Sequence, residues 1–292
     1  MQSLGFYIIL CVSYSGKDKS CGGRLRGGMV IRMRYGLIGE KLGHSYSKLI
    51  HEKLADYPYE LIPLTREEFE RFMEARAFTA INVTIPYKQA VIPYLDELHP
   101  LAAKIGAVNT IVNKNGRLTG YNTDYYGFLY MLMHHGIEVT GRKCLVLGNG
   151  GTSHTVRTLL RDLGASELLI VNRRETEDTI TYEECYRNHT DAEIIVNTTP
   201  CGMYPNTEAS PLDLSSFRRC EAVLDAIFNP LRTKLTLQAQ ELNIKAVTGL
   251  EMLVAQAKQA VEHFLDKKLS EELIDLIYKE LLEVIRDTLP LK

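Results

Sequence analysis

In residues 81–85, Ile81, Val83 and Ile85 alternate with Asn82 and Thr84. A period of two marks a half-buried strand, and Pro86 closes it because proline cannot donate to a sheet ladder. Similar patterns predict strands at 35–38, 59–63, 80–85 and 108–112. Between the first three, apolar residues recur at three- and four-residue intervals over 47–57 and 65–75, predicting helices. Thr65 with Glu68 three residues on reads as a capping box at the start of the second helix. Asn115-Gly116 predicts the tip of a hairpin spanning 113–121.

From residue 141 the pattern changes register. KCLVLGNGGTSHTVRTLLRDLG (143–164) reads as a buried strand, a glycine turn and a helix, and SELLIVNRR (166–174) adds the next strand. That is a βαβ unit. Further strands are expected at 193–197, 222–227 and 244–247, so this half reads as an open, doubly wound sheet. The tail, 251–265 and 270–289, has helical periodicity, with Ser270 as an N-cap. The simplest packing folds at least one of these helices back onto the first half.

The chain has 292 residues, 45% of them hydrophobic, enough for one large or two ordinary cores. Basic and acidic residues number 34 and 36. No block of like charge suggests a nucleic-acid arm or polybasic anchor, so a small-molecule ligand is expected, with no nucleic-acid and no membrane partner. Six scattered cysteines (Cys11, Cys21, Cys144, Cys185, Cys201, Cys220) form no CxxC pair and lie near no zinc-spaced histidine. They read as reduced thiols of a cytoplasmic protein without a resident metal. Residues 1–32 differ from the rest. Their apolar stretch at 4–15 lacks the basic residue and cleavage site of a signal peptide, and 16–28 has linker composition. A poorly ordered extension is expected there, with the functional chain beginning near Met29 or Met33.

The chemistry-bearing residues fall into few places. Gly148, Asn149, Gly150 and Gly151 follow a strand and open a helix, the context in which glycines let a backbone approach a pyrophosphate. Ser153 takes the third position of the fingerprint. At the end of the next strand, where an NAD enzyme presents a carboxylate for the ribose 2′-hydroxyl, stand Asn172, Arg173 and Arg174. Guanidinium groups suit a 2′-phosphate, so NADP is favoured over NAD; Glu175, Glu177 and Asp178 could partly offset the arginines. Three polar clusters in the first half should converge on one side of its sheet: Ser45 and Ser47; Asn82, Thr84 and Lys88; Asn122 and Asp124. Together they suit a small polyhydroxylated acid. Each alone also has a plain structural explanation, as helix caps or a polar strand face.

In order and spacing, GHSYS, NVTIPYK, GAVNTIV, GYNTD, GNGG, NRR, NTTPCGM, DAIFNPLRTKL and GLEMLVAQA resemble the motifs of shikimate dehydrogenase and its quinate/shikimate relatives, over about residues 33–290. The resemblance implies an α/β chain with an N-terminal α/β substrate domain (33–135, completed by helices of 251–292) and a Rossmann-like NADP-binding domain (136–250), the C-terminal helices packing back on the first domain. It implies reversible NADP-dependent reduction of 3-dehydroshikimate to shikimate, in aromatic amino acid biosynthesis, by a monomer or homodimer. Carried over position by position, Ser45 and Ser47 would bind the substrate carboxylate, and Asn82, Thr84, Asn109 and Gln256 its hydroxyls. Lys88 and Asp124 would be the catalytic pair. Gly148, Asn149, Gly150 and Gly151 would hold the pyrophosphate, and Asn172, Arg173 and Arg174 the adenosine phosphate.

Two positions depart from the family pattern. Lys48 stands where proline is common and is a candidate aid to carboxylate capture; Phe228 replaces a tyrosine that contacts substrate. The segment 175–191 also looks shorter than the family's helix there. The alternatives are a quinate/shikimate dehydrogenase using NAD or both cofactors, a methylene-tetrahydrofolate dehydrogenase, whose tyrosine and lysine are not adjacent as Tyr87 and Lys88 are, and a catalytically silent ligand sensor.

Overall fold

A computed structural model of the chain describes residues 35–43 and 45–288; the expected N-terminal extension lies outside the described residues. The first sheet contains β1 (Tyr35–Gly39), β2 (Tyr59–Pro63), β3 (Ala80–Val83), β4 (Glu97–Leu98), β5 (Thr110–Lys114) and β6 (Arg117–Tyr121), in spatial order β2-β1-β3-β5-β6-β4. β1 pairs in parallel with both β2 and β3 and is buried along its whole length, which explains why YGLIG shows no alternation. β5 and β6 form the expected hairpin: Asn115 and Gly116 both have positive φ (56° and 86°), as a two-residue turn of this hand requires.

The second sheet is all parallel. It comprises β7 (Lys143–Leu147), β8 (Glu167–Asn172), β9 (Ile180–Thr181), β10 (Ile194–Asn197), β11 (Ala222–Asp225) and β12 (Lys245–Thr248), in order β12-β11-β10-β7-β8-β9. The order reverses between β7 and β10, producing the crevice at the strand C-termini where open α/β sheets bind ligands. The expected doubly wound fold is therefore observed.

Helices α1 (Ser47–Leu54), α2 (Arg66–Ala75), α3 (Pro100–Ile105) and α4 (Asp124–His134) belong to the first half in sequence. α2 has the full Thr65/Glu68 capping box. α5 (Gly151–Asp162), α6 (Tyr182–Asn188) and α7 (Lys234–Glu241) follow, and α8 (Leu250–Leu265) and α9 (Glu272–Thr288) close the chain. α8 is buried on nearly every side because α1, α4, α9 and β5 all pack on it, so the C-terminal helices do return to the first half. Ser270 Oγ accepts from the Glu272 N–H two residues on, a bond within the range of an N-cap.

Several boundaries differ from expectation, each for a bonding reason. β3 ends at Val83: the Thr84 N–H makes the last ladder bond, to Ile38 O, and Ile85 then turns outward. β5 starts two residues late because Val108 and Asn109 direct their N–H groups to Lys88 O and Tyr121 O. α4 also does double duty. Its Phe128, Met131 and Leu132 share a core with Val156, Leu159 and Leu160 of α5 and with Val146, Val196 and Leu224 of the second sheet. Among the described residues no helix is long and apolar enough to cross a membrane. Cys144, Cys185, Cys201 and Cys220 are free thiols.

Candidate active site

The register of the first sheet brings the sequence clusters to one edge. β1 and β3 run in parallel, so the segments after Gly39 and Val83 emerge at the same end; β5 begins there, and the antiparallel β6 ends there, with Thr110 facing both Asn82 and Tyr121. Ser45 and Ser47 leave from β1, Thr84 and Lys88 from β3, and Asp124 from β6.

Lys88 lies in the turn that follows β3. Its neighbour Tyr87 is buried, stacked on Phe69 at 4.2 Å and bonded through its hydroxyl to Leu64 O. The Lys88 carbonyl accepts from the Val108 N–H. These contacts fix the backbone, and the ammonium then reaches Asp124 Oδ2 at 2.5 Å. Both side chains are nearly withdrawn from solvent, 12% and 8% exposed. The other Asp124 oxygen accepts from Asn109 Nδ2 at 2.9 Å, and Asn109 Oδ1 accepts from the Thr123 N–H at 2.7 Å. Asp124 is the first residue of α4 and Thr123 its N-cap, so the carboxylate is not spent on capping.

The network continues through amides and hydroxyls. Gln256 Oε1 accepts from Asn109 Nδ2 and Thr123 Oγ1, both at 3.3 Å. Asn82 donates to Asn109 O and Thr110 Oγ1 and accepts from the Tyr59 hydroxyl at 2.6 Å. Ser47 is buried at the start of α1, and its N–H bonds to Ser45 Oγ. Tyr59, Thr110 and Thr123, all fully buried, were not singled out from the sequence. Thr110 and Thr123 lie inside recognised motifs, but Tyr59 reads as an ordinary strand residue.

The glycine turn abuts this network. Gly148 has φ +98°, a conformation that favours glycine, and a Cβ on Gly150 would meet nothing within 4 Å, leaving an open cradle before α5. Gly150 caps α5 without any side-chain bond, and the first turn carries no acid, so the helix start is free to face an anion. A Cβ on Gly151 would stand 3.2 Å from Lys88 Cβ, and Thr152 Oγ1 lies 3.5 Å from Lys88 Nζ. Asn122 Nδ2 also donates to Thr155 Oγ1 on α5. Ser153 is fully buried where α5 packs on the sheet, as a small residue at the third fingerprint position should be.

The residues 37–111 match the family model of the shikimate dehydrogenase substrate binding domain. The chain is 38% identical over 267 residues to the NADP(+) shikimate dehydrogenase of Clostridium beijerinckii, covering 84% of this chain and 98% of that one. The chain belongs to the shikimate dehydrogenase family. Among solved structures, it is similar to shikimate dehydrogenase 1 of Peptoclostridium difficile, with a TM-score of 0.80 and 35% identity over 86% of this chain and 98% of that one. It is also similar to the Thermus thermophilus shikimate 5-dehydrogenase in complex with NADP(H) and shikimate, with a TM-score of 0.75 and 30% identity over 85% and 99%.

Arg173 and Arg174 are exposed beyond β8, and among the described residues neither is in an ion pair, so Glu175, Glu177 and Asp178 do not offset them by direct contact. Asn172 Oδ1 accepts from the Arg173 N–H. Arg157, missed in the sequence, reaches back from α5 to Asn149 Oδ1 at 3.4 Å and to His154 Nδ1 at 3.1 Å. Burial and the Arg157 charge hold His154 below the usual imidazole range. The Lys48 ammonium is already engaged, by Glu52 at 2.5 Å and Tyr59 O at 2.9 Å. Phe228 packs edge-on to Tyr46. The segment after β8 forms only β9 and the seven-residue α6.

Farther along the second sheet, Asp225 explains two motifs. Its carboxylate accepts from Asn197 Nδ2, the Ile227 N–H and Thr233 Oγ1, tying NTTPCGM to DAIFNPLRTKL. Burial pushes its pKa up to about 6, while those three bonds oppose the rise.

Proposed function

We propose that this protein catalyses the reversible NADP-dependent reduction of 3-dehydroshikimate to shikimate, with Lys88 and Asp124 as its proton-transfer pair. The observation that carries the reading is the shielded Lys88–Asp124 contact, set between the hydroxyl-binding amides Asn109 and Gln256 on one side and the Gly151 turn on the other.

NADPH, when bound, supplies the hydride to the ketone carbon. The carbonyl oxygen must gain a proton as that carbon is reduced, and the Lys88 ammonium both stabilises the developing alkoxide and donates the proton. In the oxidative direction the neutral amine takes the proton from the hydroxyl. Asp124 orients the ammonium, and Asn109 orients Asp124. Asn82, Thr84, Asn109 and Gln256 offer donors and acceptors to the ring hydroxyls, and Ser45 and Ser47 offer hydroxyls to the carboxylate.

The chain's residues fit the cofactor. Gly148 to Gly151 and the uncapped start of α5 suit a pyrophosphate, and Asn172, Arg173 and Arg174 suit the 2′-phosphate. In this reading residues 33–135 with the helices of 251–292 hold the substrate, and 136–250 hold NADP.

Initial rates with shikimate and with quinate, each with NADP and with NAD, test the assignment. Preference for shikimate and NADP is expected. Preference for quinate or NAD would place the protein with the quinate/shikimate relatives, and no rate with any pair would favour a silent ligand sensor.

A further inference from the structure

At the far end of α4, away from Asp124, three side chains close on one another. Glu251, in the first turn of α8, is only 7% exposed, and among the described residues no lysine or arginine pairs with it. Its two oxygens are faced instead by His134 Nδ1 at 3.3 Å and His135 Nε2 at 2.8 Å. Lys245 directs its ammonium to the His135 backbone carbonyl rather than to the carboxylate. The three donor atoms lie within 4.8 Å of one another.

We propose that His134, His135 and Glu251 form a binding site for Zn²⁺ or a like transition-metal dication, which clamps the C-terminus of α4 to the start of α8. A carboxylate withdrawn from water and met by two imidazole nitrogens presents three converging donors of the kind zinc takes, two from histidine and one from glutamate. Two nitrogens and one carboxylate oxygen match zinc with water in the fourth position, whereas Mg²⁺ and Ca²⁺ demand more oxygens. Tetrahedral bonds of about 2.1 Å place ligand atoms about 3.4 Å apart, so the site closes by an inward turn of about an ångström. His134, 46% exposed, has the room to make it and leaves the fourth position open to water. The clamp joins the helix that begins with Asp124 to the helix that contains Gln256, and it is independent of the reaction assigned above.

The purified full chain, stripped of metal with a chelator, is titrated calorimetrically with ZnCl₂ and compared with His134→Gln/His135→Gln. Saturable uptake of one Zn²⁺ per chain, a rise in melting temperature with zinc, and loss of both in the double variant are expected. Co²⁺ substitution separates this site from the cysteines, since thiolate ligation adds an intense near-ultraviolet band that a nitrogen and oxygen site lacks. No saturable binding, uptake unchanged in the double variant, or a thiolate band accounting for all bound cobalt would overturn the proposal. If the double variant melts early without metal, His134→Gln alone at its half-exposed position decides: affinity weaker by about tenfold supports the site, and unchanged affinity refutes it.

Discussion

Lys88 and Asp124, 36 residues apart in sequence, meet at 2.5 Å through side chains that are almost wholly shielded from water. A shielded ion pair is a costly way to stabilise a fold, because desolvation offsets most of the Coulomb gain. Its placement against the Gly151 turn makes sense if the ammonium acts on a bound carbonyl. Lys88→Ala should therefore lower kcat by about 10²- to 10⁴-fold, the range for a positioned general acid, with a smaller change in KM. Asp124→Asn should lower kcat less, because the amide still holds the ammonium by one bond. Steady-state kinetics decide, and a Lys88→Ala enzyme of undiminished kcat would remove the pair from the mechanism.

Ser47 is the clearest test of substrate capture. It is buried at the start of α1, its N–H bonds to Ser45 Oγ, and among the described residues its hydroxyl is not seen in a hydrogen bond. Ser47→Ala removes a hydroxyl with little change of volume. We expect KM for shikimate to rise by about tenfold, the worth of a hydrogen bond to a charged group, with kcat nearly unchanged. A fall in kcat at constant KM would place Ser47 in the chemistry instead.

Most of this arrangement was legible from local patterns. The Asn115-Gly116 tip, the Thr65/Glu68 box and the glycine turn are short-range signals, and the structure honours each; the alternation at 81–85 does mark a strand, but β3 stops at Val83 and is buried on both faces rather than half-buried. What stayed hidden depends on partners distant in sequence. Val108 and Asn109 look like strand residues, yet their N–H groups serve Lys88 and Tyr121, and no local pattern reports that choice. Tyr59 looks like core until its hydroxyl is seen on Asn82. Arg157 looks like a helix-surface charge until α5 turns it back toward Asn149. The sequence likewise assigns α4 to the first half but is silent on its packing against the second sheet.

That shared helix predicts a sensitive glycine. A Cβ on Gly127 would stand 2.6 Å from Met252 O and 2.9 Å from Gln256 Cβ, so α4 and α8 touch backbone to backbone there. Gly127→Ala must push the helices apart, and overpacking of this kind costs about 1–3 kcal/mol. Urea denaturation should show that loss. Because the displaced α8 holds Gln256, KM for shikimate should rise as well. An unchanged midpoint would mean that the helices slide freely past each other.

Arg173 and Arg174 stand beyond β8, exposed and without ion-pair partners among the described residues. A guanidinium bonded to a 2′-phosphate is lost without consequence when the phosphate is absent. Arg173→Ala/Arg174→Ala should therefore raise KM for NADP by about 10- to 100-fold while leaving KM for NAD within about twofold. Equal weakening of both cofactors would assign the arginines to general electrostatics rather than phosphate recognition.

His51 predicts how stability depends on acid. It is fully buried, stacked on Tyr59 at 4.0 Å, with Phe264 beside it and Nδ1 bonded to the Tyr57 hydroxyl. Burial lowers its pKa from 6.5 to about 3. Between those values the unfolded chain binds a proton that the folded chain refuses, so stability falls as pH drops from 6.5 toward 3. Asp225, its pKa raised from 3.8 to about 6, acts in the opposite sense, since the folded chain takes its proton first and gains stability as pH falls through 6. A single pH profile mixes the two groups, and a variant separates them. His51→Phe keeps a ring in the stack, loses the Tyr57 bond at a cost of about 1 kcal/mol near pH 8, and removes the proton refusal. Its stability should decline less steeply than that of the unmodified protein between pH 6.5 and 4.5, measured by urea denaturation at each pH. Parallel profiles would mean that His51 is protonated within the fold.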